Sequence, residues 1–280
     1  MAVTRSVGFA VDGPPISAAL HGVVNRLTLQ DDVVRWEGGV GFESLACAAV
    51  VEVWGLCDSV PSVVVDGSGN DRGVFAPSFG VTATDLCSST LSGSDFRERA
   101  AGRVEELLLA SSQKAVESEL KWGHVASAAS PAGRWLASPE TVVVDSSGVS
   151  PEVAVALLED AYAGCSYGGG GVLHLSPGSA IGLWSVVEVD GVLFTPMGTQ
   201  LVLGSGYVGP VGSPAPWDGN WMFITGPVLV WLGDVQVFPE ELGQAVAVAT
   251  NDIRYKAERL AAVTFDGCCV FAVKVDVTKI

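Results

Sequence analysis

The clearest pattern in the chain is a run of apolar and small residues whose spacing alternates between three and four. This spacing is the period of an α-helix with one buried face, and it predicts a helix from Ser94 to about Trp122. Ser94 is the expected N-cap, and Gly123 is the residue at which the helix should end. At about 1.5 Å per residue the helix is roughly 40 Å long. Its expected buried face consists of Phe96, Ala100, Val104, Leu107, Leu108, Ser111, Ala115 and Leu120.

The other positions of this helix carry charged side chains that are spaced as helical neighbours. Arg103 stands three residues before Glu106, and Glu117 stands three residues after Lys114 and four before Lys121. Pairs at these distances are typical of a solvated helix face. The sequence therefore predicts one long helix with a charged outer face, against which the sheets of the protein pack.

The segment before the helix has weaker patterns and favours extended structure. Residues 1–47 show little periodicity and indicate an extended arm. Two β-branched runs follow, Ala48–Trp54 and Val60–Val65, and Phe75–Thr84 is also strand-like. Residues 48–92 are therefore expected to form a protruding β-loop that leads into the helix.

After the helix, strand-like segments predominate, and two further helices are predicted, one of them a short helix near Ser179–Trp184. Ser150 and Pro151 suit the cap and the first position of a helix that runs to Gly164. Glu140–Val144 is expected as a buried strand. The order of elements predicts an α+β fold. The remaining predicted strands are Val172–Leu175, Ser185–Val189, Val192–Thr195, Leu201–Leu203, Met222–Ile224, Val228–Leu232, Val235–Phe238, Thr250–Ala262 and Cys269–Val277.

Composition limits the class of protein. Apolar residues make up 49% of the chain, and charged residues make up only 16%, below the roughly 25% that is typical of soluble domains. So few charges indicate a surface that is largely covered by partners, and a large oligomer is the simplest arrangement. The formal net charge of −16 argues against nucleic acid as a specific partner, because phosphate binding needs clustered Lys and Arg.

Cysteine usage and membrane signals indicate an intracellular protein without a membrane partner. The uncharged run Ala161–Val187 is long enough to span a bilayer, but Gly168–Gly171 and Pro177 interrupt it. The first residues lack the apolar core of a signal peptide. The cysteines have no C-x-x-C spacing and are expected as buried side chains in a reducing compartment. They are Cys47, Cys57, Cys87, Cys165, Cys268 and Cys269.

Carboxylates without cationic neighbours fill the middle of the chain. No Lys or Arg occurs between Arg134 and Arg254, whereas twelve Asp and Glu residues fall there. This imbalance indicates a solvated acidic surface, or one that divalent cations or a basic partner screen.

Two short motifs suggest chemistry, but their context does not support it. Gly164–Gly168 fits the G-x-S-x-G pattern around Ser166, yet a helix is expected before it and a strand after it, the reverse of a nucleophile elbow. Gly204–Gly209 fits G-x-G-x-x-G after a strand. The prolines that follow, from Pro210 onward, cannot begin the helix that a dinucleotide site requires. A flexible loop is expected there instead.

Histidines and paired carboxylates also lack the spacing of a functional site. His21, His124 and His174 are too scattered in the sequence to indicate a metal cluster. The adjacent pairs Asp31-Asp32 and Glu240-Glu241 do not provide the opposed geometry of a general acid and base. We therefore expect no catalytic residue, no metal ligand, no cofactor-binding residue and no cofactor.

The order of elements resembles the major capsid proteins of tailed bacteriophages, in particular those of phages that infect actinobacteria. Three stretches carry the likeness. Arg99–Gly123 is similar to the end of the family's spine helix, and Val149–His174, a helix, a Gly-rich turn and a strand, resembles the start of its axial domain. Asn251–Val273 resembles the closing strand pair. The matching residues are Val116, Glu117, Trp122 and Gly123 in the first stretch, and Asn251, Ala257, Glu258, Arg259 and Phe271 in the third.

The resemblance implies the tailed-phage major capsid fold, an α+β fold with an N-terminal arm, an extended β-loop, a long spine helix, a peripheral domain and an axial domain. The implied boundaries are 1–47 for the arm and 48–92 for the β-loop region. The peripheral domain with its spine helix takes 93–148, the axial domain takes 149–232, and the closing strands of the peripheral domain take 233–280.

The implied function is structural rather than enzymatic. A capsid subunit of this family assembles with itself into hexamers and pentamers of an icosahedral head, which encloses double-stranded DNA without binding it sequence-specifically. Separate scaffold, portal and decoration proteins are the further implied partners, and the virion, assembled in the host cytoplasm, is the implied location. The alternatives are an encapsulin-like shell protein, a phage tail or decoration protein and, remotely, a serine hydrolase that acts through Ser166.

Some members of that family cross-link their shells through an isopeptide bond between Asn and a Lys of the extended loop. We expect no such bond here, and a boiled, reduced gel of the assembled protein should show only the single-chain band. A ladder of covalent multimers would contradict this expectation. The reason is that all lysines lie outside residues 45–92: they are Lys114, Lys121, Lys256, Lys274 and Lys279.

Overall fold

The computed structural model describes residues 21–26, 28–29, 38–43, 73–88, 96–129, 133–165, 170–208, 216–239, 246–247, 252–266 and 269–279. The helices in these residues are α1 (Val23–Arg26), α2 (Phe96–Trp122), α3 (Pro151–Cys165) and α4 (Pro177–Ala180). Among the described helices, none combines the length and the hydropathy that a membrane span requires. The strands are β1 (Thr28–Leu29), β2 (Val40–Glu43), β3 (Gly73–Ala76), β4 (Ser78–Ser88), β5 (Val142–Val149), β6 (Val172–Leu175), β7 (Val187–Val189), β8 (Val192–Phe194), β9 (Gln200–Leu203), β10 (Asn220–Thr225), β11 (Val228–Leu232), β12 (Gln236–Phe238), β13 (Val246–Ala247), β14 (Asp252–Phe265) and β15 (Phe271–Val275).

The long helix that the apolar pattern predicts is present as α2. It ends at Trp122, as predicted, because Gly123 adopts a φ of +60°, a conformation that favours glycine. The amide of Gly123 donates to the carbonyl of Glu119 at 2.7 Å. A Cβ on Gly123 would collide with the Trp135 ring, so close packing also requires glycine here. The predicted cap Ser94 lies outside the described residues.

One face of α2 packs against β4 and β14. Ala100, Val104 and Leu108 are buried, as the spacing predicts. The prediction is wrong at Ser111, which is exposed. Its neighbour Ser112 is buried instead and donates its hydroxyl to the carbonyl of Leu108 at 2.6 Å. This bond satisfies a polar side chain on the buried face.

The first sheet has six strands and is built on the long strand β14. β4 pairs antiparallel with β14 from Ser78 to Ser88, while β13, β12 and β11 pair antiparallel with successive parts of the other edge of β14. β1 joins the sheet parallel to β11. The predicted strands at Val228–Leu232 and Thr250–Ala262 are confirmed in the described residues, while Phe75–Thr84 is divided at Pro77 between β3 and β4. The runs Ala48–Trp54 and Val60–Val65 lie outside them. β2 and β3 form a separate two-stranded sheet.

The second sheet has seven strands in the order β5-β15-β10-β6-β9-β8-β7. The predicted helix beginning at Pro151 is confirmed as α3, which packs against this sheet. Ala154 and Leu158 of α3 are fully buried in a core that includes Leu173 and Met222. The seven-stranded sheet therefore contributes to two hydrophobic cores, one with α3 and one around α2, which receives Val202 and Phe223 from this sheet.

β5 forms one edge of the seven-stranded sheet. The prediction of a buried strand at Glu140–Val144 is wrong, since Val142, Val143 and Val144 are exposed. β5 stands at the end of the strand order, parallel to β15. A strand at the end of a sheet has a neighbouring strand on one side only, so fewer side chains surround its own, which agrees with the exposure of apolar side chains that sequence alone assigns to a core.

The chain passes between the two sheets more than once. β10 of the seven-stranded sheet leads into β11 of the six-stranded sheet, and β14 of the six-stranded sheet leads into β15 of the seven-stranded sheet. β5 and β15 thus belong to one sheet although they come from opposite ends of the second half of the chain. The implied boundaries at residues 149 and 232 do not coincide with the division between the sheets.

A disulfide joins Cys165, the last residue of α3, to Cys269, which precedes β15. The expectation that the cysteines are buried and reduced is wrong for this pair, since Cys165 is exposed and bonded. Tertiary structure brings the two residues together across a sequence separation of 104, and no spacing rule reveals such a pair. Cys47, Cys57 and Cys268 lie outside the described residues.

Candidate functional site

A group of buried polar residues connects α2 to the seven-stranded sheet. We call this group the buried junction. It contains residues of α2, of the 3-10 turn Ser205–Tyr207 that follows β9, and of the strands β6 and β10. Each member is less than a tenth exposed. The members are Gln113, Glu117, Lys121, Gly206, Tyr207, His174 and Thr225.

Glu117 is the acceptor on which the junction is centred. Its side chain accepts hydrogen bonds from the amide of Gly206 at 2.9 Å, from the Gln113 side chain at 3.0 Å and from the amide of Val23 at 3.3 Å. Burial raises the pKa of this carboxyl group, while the three hydrogen bonds act in the opposite direction. The bonds therefore offset part of the cost of placing a carboxylate in the interior.

Lys121 lies one helical turn after Glu117 and is also fully buried. Its Nζ donates to the carbonyl of Tyr207 at 2.6 Å and lies 4.5 Å from the centre of the Trp122 ring. Burial lowers the pKa of Lys121 to about 8. Lys121 thus bonds to the last residue of the 3-10 turn, Tyr207, while Glu117 bonds to its middle residue, Gly206.

The junction continues into the sheet through Tyr207, His174 and Thr225. The Thr225 hydroxyl donates to the carbonyl of Gly226 at 2.8 Å, so it has no proton left for His174. His174 Nε2 must therefore donate to Thr225 Oγ1, and Nδ1 must accept from the Tyr207 hydroxyl, each at 2.9 Å. Burial lowers the pKa of His174 to about 3 and raises that of Tyr207 well above its usual value. Both shifts favour this neutral arrangement.

The glycines of the G-x-G-x-x-G motif have a structural role in the junction. A Cβ on Gly204 would lie 2.1 Å from the Glu117 carboxyl carbon, and a Cβ on Gly206 would lie 2.5 Å from the Lys114 carbonyl oxygen. The described residues of the motif, Gly204–Val208, contain a 3-10 turn rather than the start of an α-helix. The expectation of a flexible loop is wrong for them, because Gly204, Gly206 and Tyr207 are buried against α2.

The structure also corrects the expected outer face of α2. Glu117 and Lys121 were expected on a solvated face, but both are buried, whereas Lys114 is exposed. Two residues spaced by four can form an ion pair on the helix surface, or each can be buried and bond to another segment. The spacing alone does not distinguish these cases. One signal was available in the sequence. Glu117 follows Val116 and Lys121 follows Leu120, so both charged residues stand next to an apolar residue.

The residues that suggested chemistry do not converge in the described part of the chain. His174 belongs to the junction, His21 lies beside α1, and exposed His124 bonds the Ser118 hydroxyl at 3.3 Å. In the residues that the structure describes, no group of three or more His, Cys, Asp or Glu is arranged to hold a metal ion. The reversed order around the G-x-S-x-G motif is confirmed, with α3 before it and β6 after it. Ser166, Asp31-Asp32 and Glu240-Glu241 lie outside the described residues.

The carboxylates of the segment without Lys or Arg lie at the surface where the structure describes them. Glu152, Asp160, Glu188 and Asp190 are exposed. Asp218 pairs with Lys274, which comes from outside the segment, at 3.2 Å. A solvated acidic surface accounts for this placement.

We expect Gly206→Ala to lower the free energy of unfolding by about 3 kcal/mol, because the new methyl group would collide with the backbone of α2. Denaturant titration of both proteins would measure the difference. Gly102→Ala is a matched control, since a Cβ on Gly102 in α2 meets nothing within 4 Å. The control should raise stability by about 0.5–1 kcal/mol through helix propensity. Equal effects of the two variants would contradict the close approach at Gly206.

We expect His174→Gln to flatten the acid side of the stability–pH curve. The folded pKa of His174, about 3, lies below its ordinary value of 6.5, so the unfolded chain binds more protons between these pH values. Stability from this group is complete above about pH 6.5 and falls toward pH 3, by at most about 1.4 kcal/mol for each pH unit. The His174→Gln variant should lack this decrease of stability between about pH 6.5 and pH 3.

Thermal or urea unfolding at a series of pH values would test the expectation for His174. His124→Gln, at an exposed position, controls for the loss of a histidine as such. Parallel curves for wild type and His174→Gln would show that His174 does not stay neutral in the folded protein.

Comparison with known proteins identifies the fold but not a closer relationship. No protein-family model matches the sequence, and no curated protein matches it. Among solved structures, a protein of Mycobacterium phage Ogopogo is 14% identical, with a TM-score of 0.55 over 98% of this chain and 97% of the phage chain. The capsid of the native GTA particle is 11% identical, with a TM-score of 0.55 over 98% of this chain and 95% of its own.

A shell protein from a bacterium has the same architecture. The encapsulin of the holo-SrpI complex from Synechococcus elongatus is 12% identical, with a TM-score of 0.52 over 96% of this chain and 94% of its own. At these identities the likeness establishes the fold, which agrees with the resemblance found in the sequence. Over nearly its whole length, the chain has the fold of the phage capsid proteins.

Proposed function

We propose that the chain is a capsid shell subunit of a tailed bacteriophage, a structural protein rather than an enzyme. Copies of it would assemble into hexamers and pentamers of an icosahedral head around double-stranded DNA. The observation that carries the proposal is the agreement in fold with the GTA capsid over 98% of the chain. A low content of charged residues, 16% of the chain, supports a protein that covers much of its surface in an assembly.

Exposed apolar side chains in the edge strand β7 of the seven-stranded sheet, and near it in the sequence, support subunit contact. They fall within residues 181–197, which include the hairpin of β7 and β8. We call this set the apolar rim. Trp184 is 80% exposed and Met197 is 81% exposed, and a large exposed tryptophan is typical of a subunit interface. The members of the apolar rim are Ile181, Trp184, Val187, Val189 and Met197.

The opposite edge of the same sheet offers a second, different apolar surface. Val142, Val143 and Val144 of β5 are exposed there. Two different surfaces at opposite ends of one sheet suit a head-to-tail contact, in which each copy presents one surface to the next. Contacts of this kind form closed rings when the rotation between copies closes, as the proposed capsomers require.

The domain assignment is part of the proposal. The seven-stranded sheet with α3 would be the axial domain, and the six-stranded sheet with α2 would be the peripheral domain. The arm at 1–47 and the extended β-loop of the region 48–92 would reach neighbouring subunits, although β4, from the end of that region, belongs to the six-stranded sheet. The axial and peripheral boundaries at 149 and 232 serve as approximate limits, because β5 and β15 complete the axial sheet from outside them.

The proposed partners follow from the shell function. The chain would contact copies of itself, separate scaffold and portal proteins, and decoration proteins where the head uses them. Packaged DNA would be enclosed without sequence-specific contact, which suits a net charge of −16. The proposed location is the virion, after assembly in the host cytoplasm.

A nanocompartment shell is the second candidate, and the agreement with the SrpI encapsulin supports it. The fold is common to both candidates, so the contents of purified particles distinguish them. Packaged double-stranded DNA favours the phage head, and an enclosed enzyme favours the nanocompartment.

Electron microscopy of the expressed chain, after sizing by light scattering, tests the shell function itself. Closed shells or rings of subunits are the expected result. Monomers or dimers, also in the presence of the cognate scaffold, would contradict the proposal and would direct attention to an accessory phage protein or to Ser166.

We expect Trp184→Asp to reduce the yield of assembled particles at least about tenfold, because it places a charge where an apolar contact is proposed. Light scattering and electron microscopy would measure the yield, and circular dichroism would check that the subunit is folded. Trp184→Phe keeps an aromatic side chain and should retain most of the assembly. Normal assembly of Trp184→Asp would exclude the apolar rim as a subunit contact.

A further inference from the structure

The last turn of α3 lies where the chain passes between the two sheets. One passage joins β10 to β11 through Gly226 and Pro227, and the other joins β14 to β15 through residues 266–270. The passages touch, since the amide of Asp266 donates to the carbonyl of Pro227 at 2.7 Å. A Cβ on Gly226 would lie 2.1 Å from the Asp266 carbonyl oxygen and 3.4 Å from the Tyr162 hydroxyl of α3. We call this meeting point of α3 and both passages the sheet crossing.

The disulfide of Cys165 and Cys269 spans the sheet crossing. Cys165 ends α3, which packs on the seven-stranded sheet, and Cys269 lies in the passage that comes from the six-stranded sheet. Their Cα atoms are 6.4 Å apart, a separation that a disulfide bridges without backbone movement. Without the bond, backbone hydrogen bonds hold this passage near its two ends, at Asp266 and at Val270.

We propose that the disulfide between Cys165 and Cys269 is a redox-sensitive bond that stabilises the sheet crossing. Oxidation links α3 covalently to the passage between β14 and β15, and reduction removes this link. Exposure of Cys165 gives a small oxidant or reductant access to the bond. The inference uses the fold and the sheet crossing alone, so it does not depend on the shell function.

The oxidant that we assign is a small-molecule disulfide such as oxidised glutathione. The Cys165 thiolate attacks one sulfur of the oxidant, forms a mixed disulfide and releases one small thiol. The Cys269 thiolate then attacks the Cys165 sulfur, and the second small thiol leaves with the electron pair. The two cysteines lose two protons and two electrons, and the oxidant becomes two thiols. A reducing cytoplasm would keep the pair as thiols, and an oxidising exterior would keep it bonded.

The test compares the reduced and oxidised forms of the full-length chain. One sample is treated with dithiothreitol and the other with oxidised glutathione, and free thiols are alkylated before non-reducing peptide mapping. We expect the peptides of Cys165 and Cys269 to be joined only after oxidation. Thermal unfolding should show a Tm roughly 10 °C higher for the oxidised form, because the bond closes a loop of about 100 residues.

Serine variants assign the partner of Cys165, because Cys268 and Cys269 fall in the same peptide. Cys165→Ser and Cys269→Ser should each abolish the rise in Tm upon oxidation, and the matched control Cys268→Ser should keep it. If a variant does not fold, the two forms of the wild-type chain still provide the comparison, since oxidation removes two hydrogens from its intact mass.

Three results would overturn the inference. The first is a response that Cys268→Ser removes and Cys269→Ser keeps. The second is a bond that joins two chains on a non-reducing gel. The third is a Tm that stays the same when the Cys165–Cys269 bond forms.

Discussion

The structure depends on the hydrogen-bond partners of Glu117 and Lys121, which are among the charged side chains that α2 buries. A carboxylate or an ammonium group that leaves water without a partner costs several kcal/mol. Glu117 therefore requires the amides of Val23 and Gly206, and Lys121 requires the carbonyl of Tyr207. These partners come from distant parts of the sequence. The burial of α2 consequently depends on the geometry of the 3-10 turn, and that geometry requires a glycine at position 206.

Both sheets contribute to the hydrophobic core around α2, and two further connections of different character join them. The buried junction reaches from α2 into the seven-stranded sheet through Tyr207 and His174, and hydrogen bonds link Glu117, Lys121, Tyr207, His174 and Thr225 to their surroundings. A hydrogen-bonded polar network in the interior favours one arrangement over alternatives. The sheet crossing at the end of α3 is different, because it is exposed at Cys165 and is held by a few backbone bonds and the disulfide. In the proposed redox response, an oxidant or reductant in the surroundings would therefore form or break the disulfide of the sheet crossing.

The surface of a single copy fits a protein that works in an assembly. The seven-stranded sheet ends in β5 on one side and β7 on the other, and both strands expose valine side chains. Exposed apolar strands at sheet edges favour association in any protein, and natural proteins usually cover or charge them. Here the covering would come from neighbouring copies, which also accounts for the low fraction of charged residues.

The sequence by itself determined which segments form helices and strands, because hydrophobic period and the capping residues are local properties. It placed the end of α2 at Trp122, the start of α3 at Pro151 and the strand at Val228–Leu232, and its order of elements indicated the capsid fold. Tertiary structure alone decided which polar groups are buried and which apolar groups are exposed. Glu117 has the spacing of a surface residue, and Val142 has the composition of a core residue. Their environments depend on segments far away in the chain, whose approach no local pattern encodes.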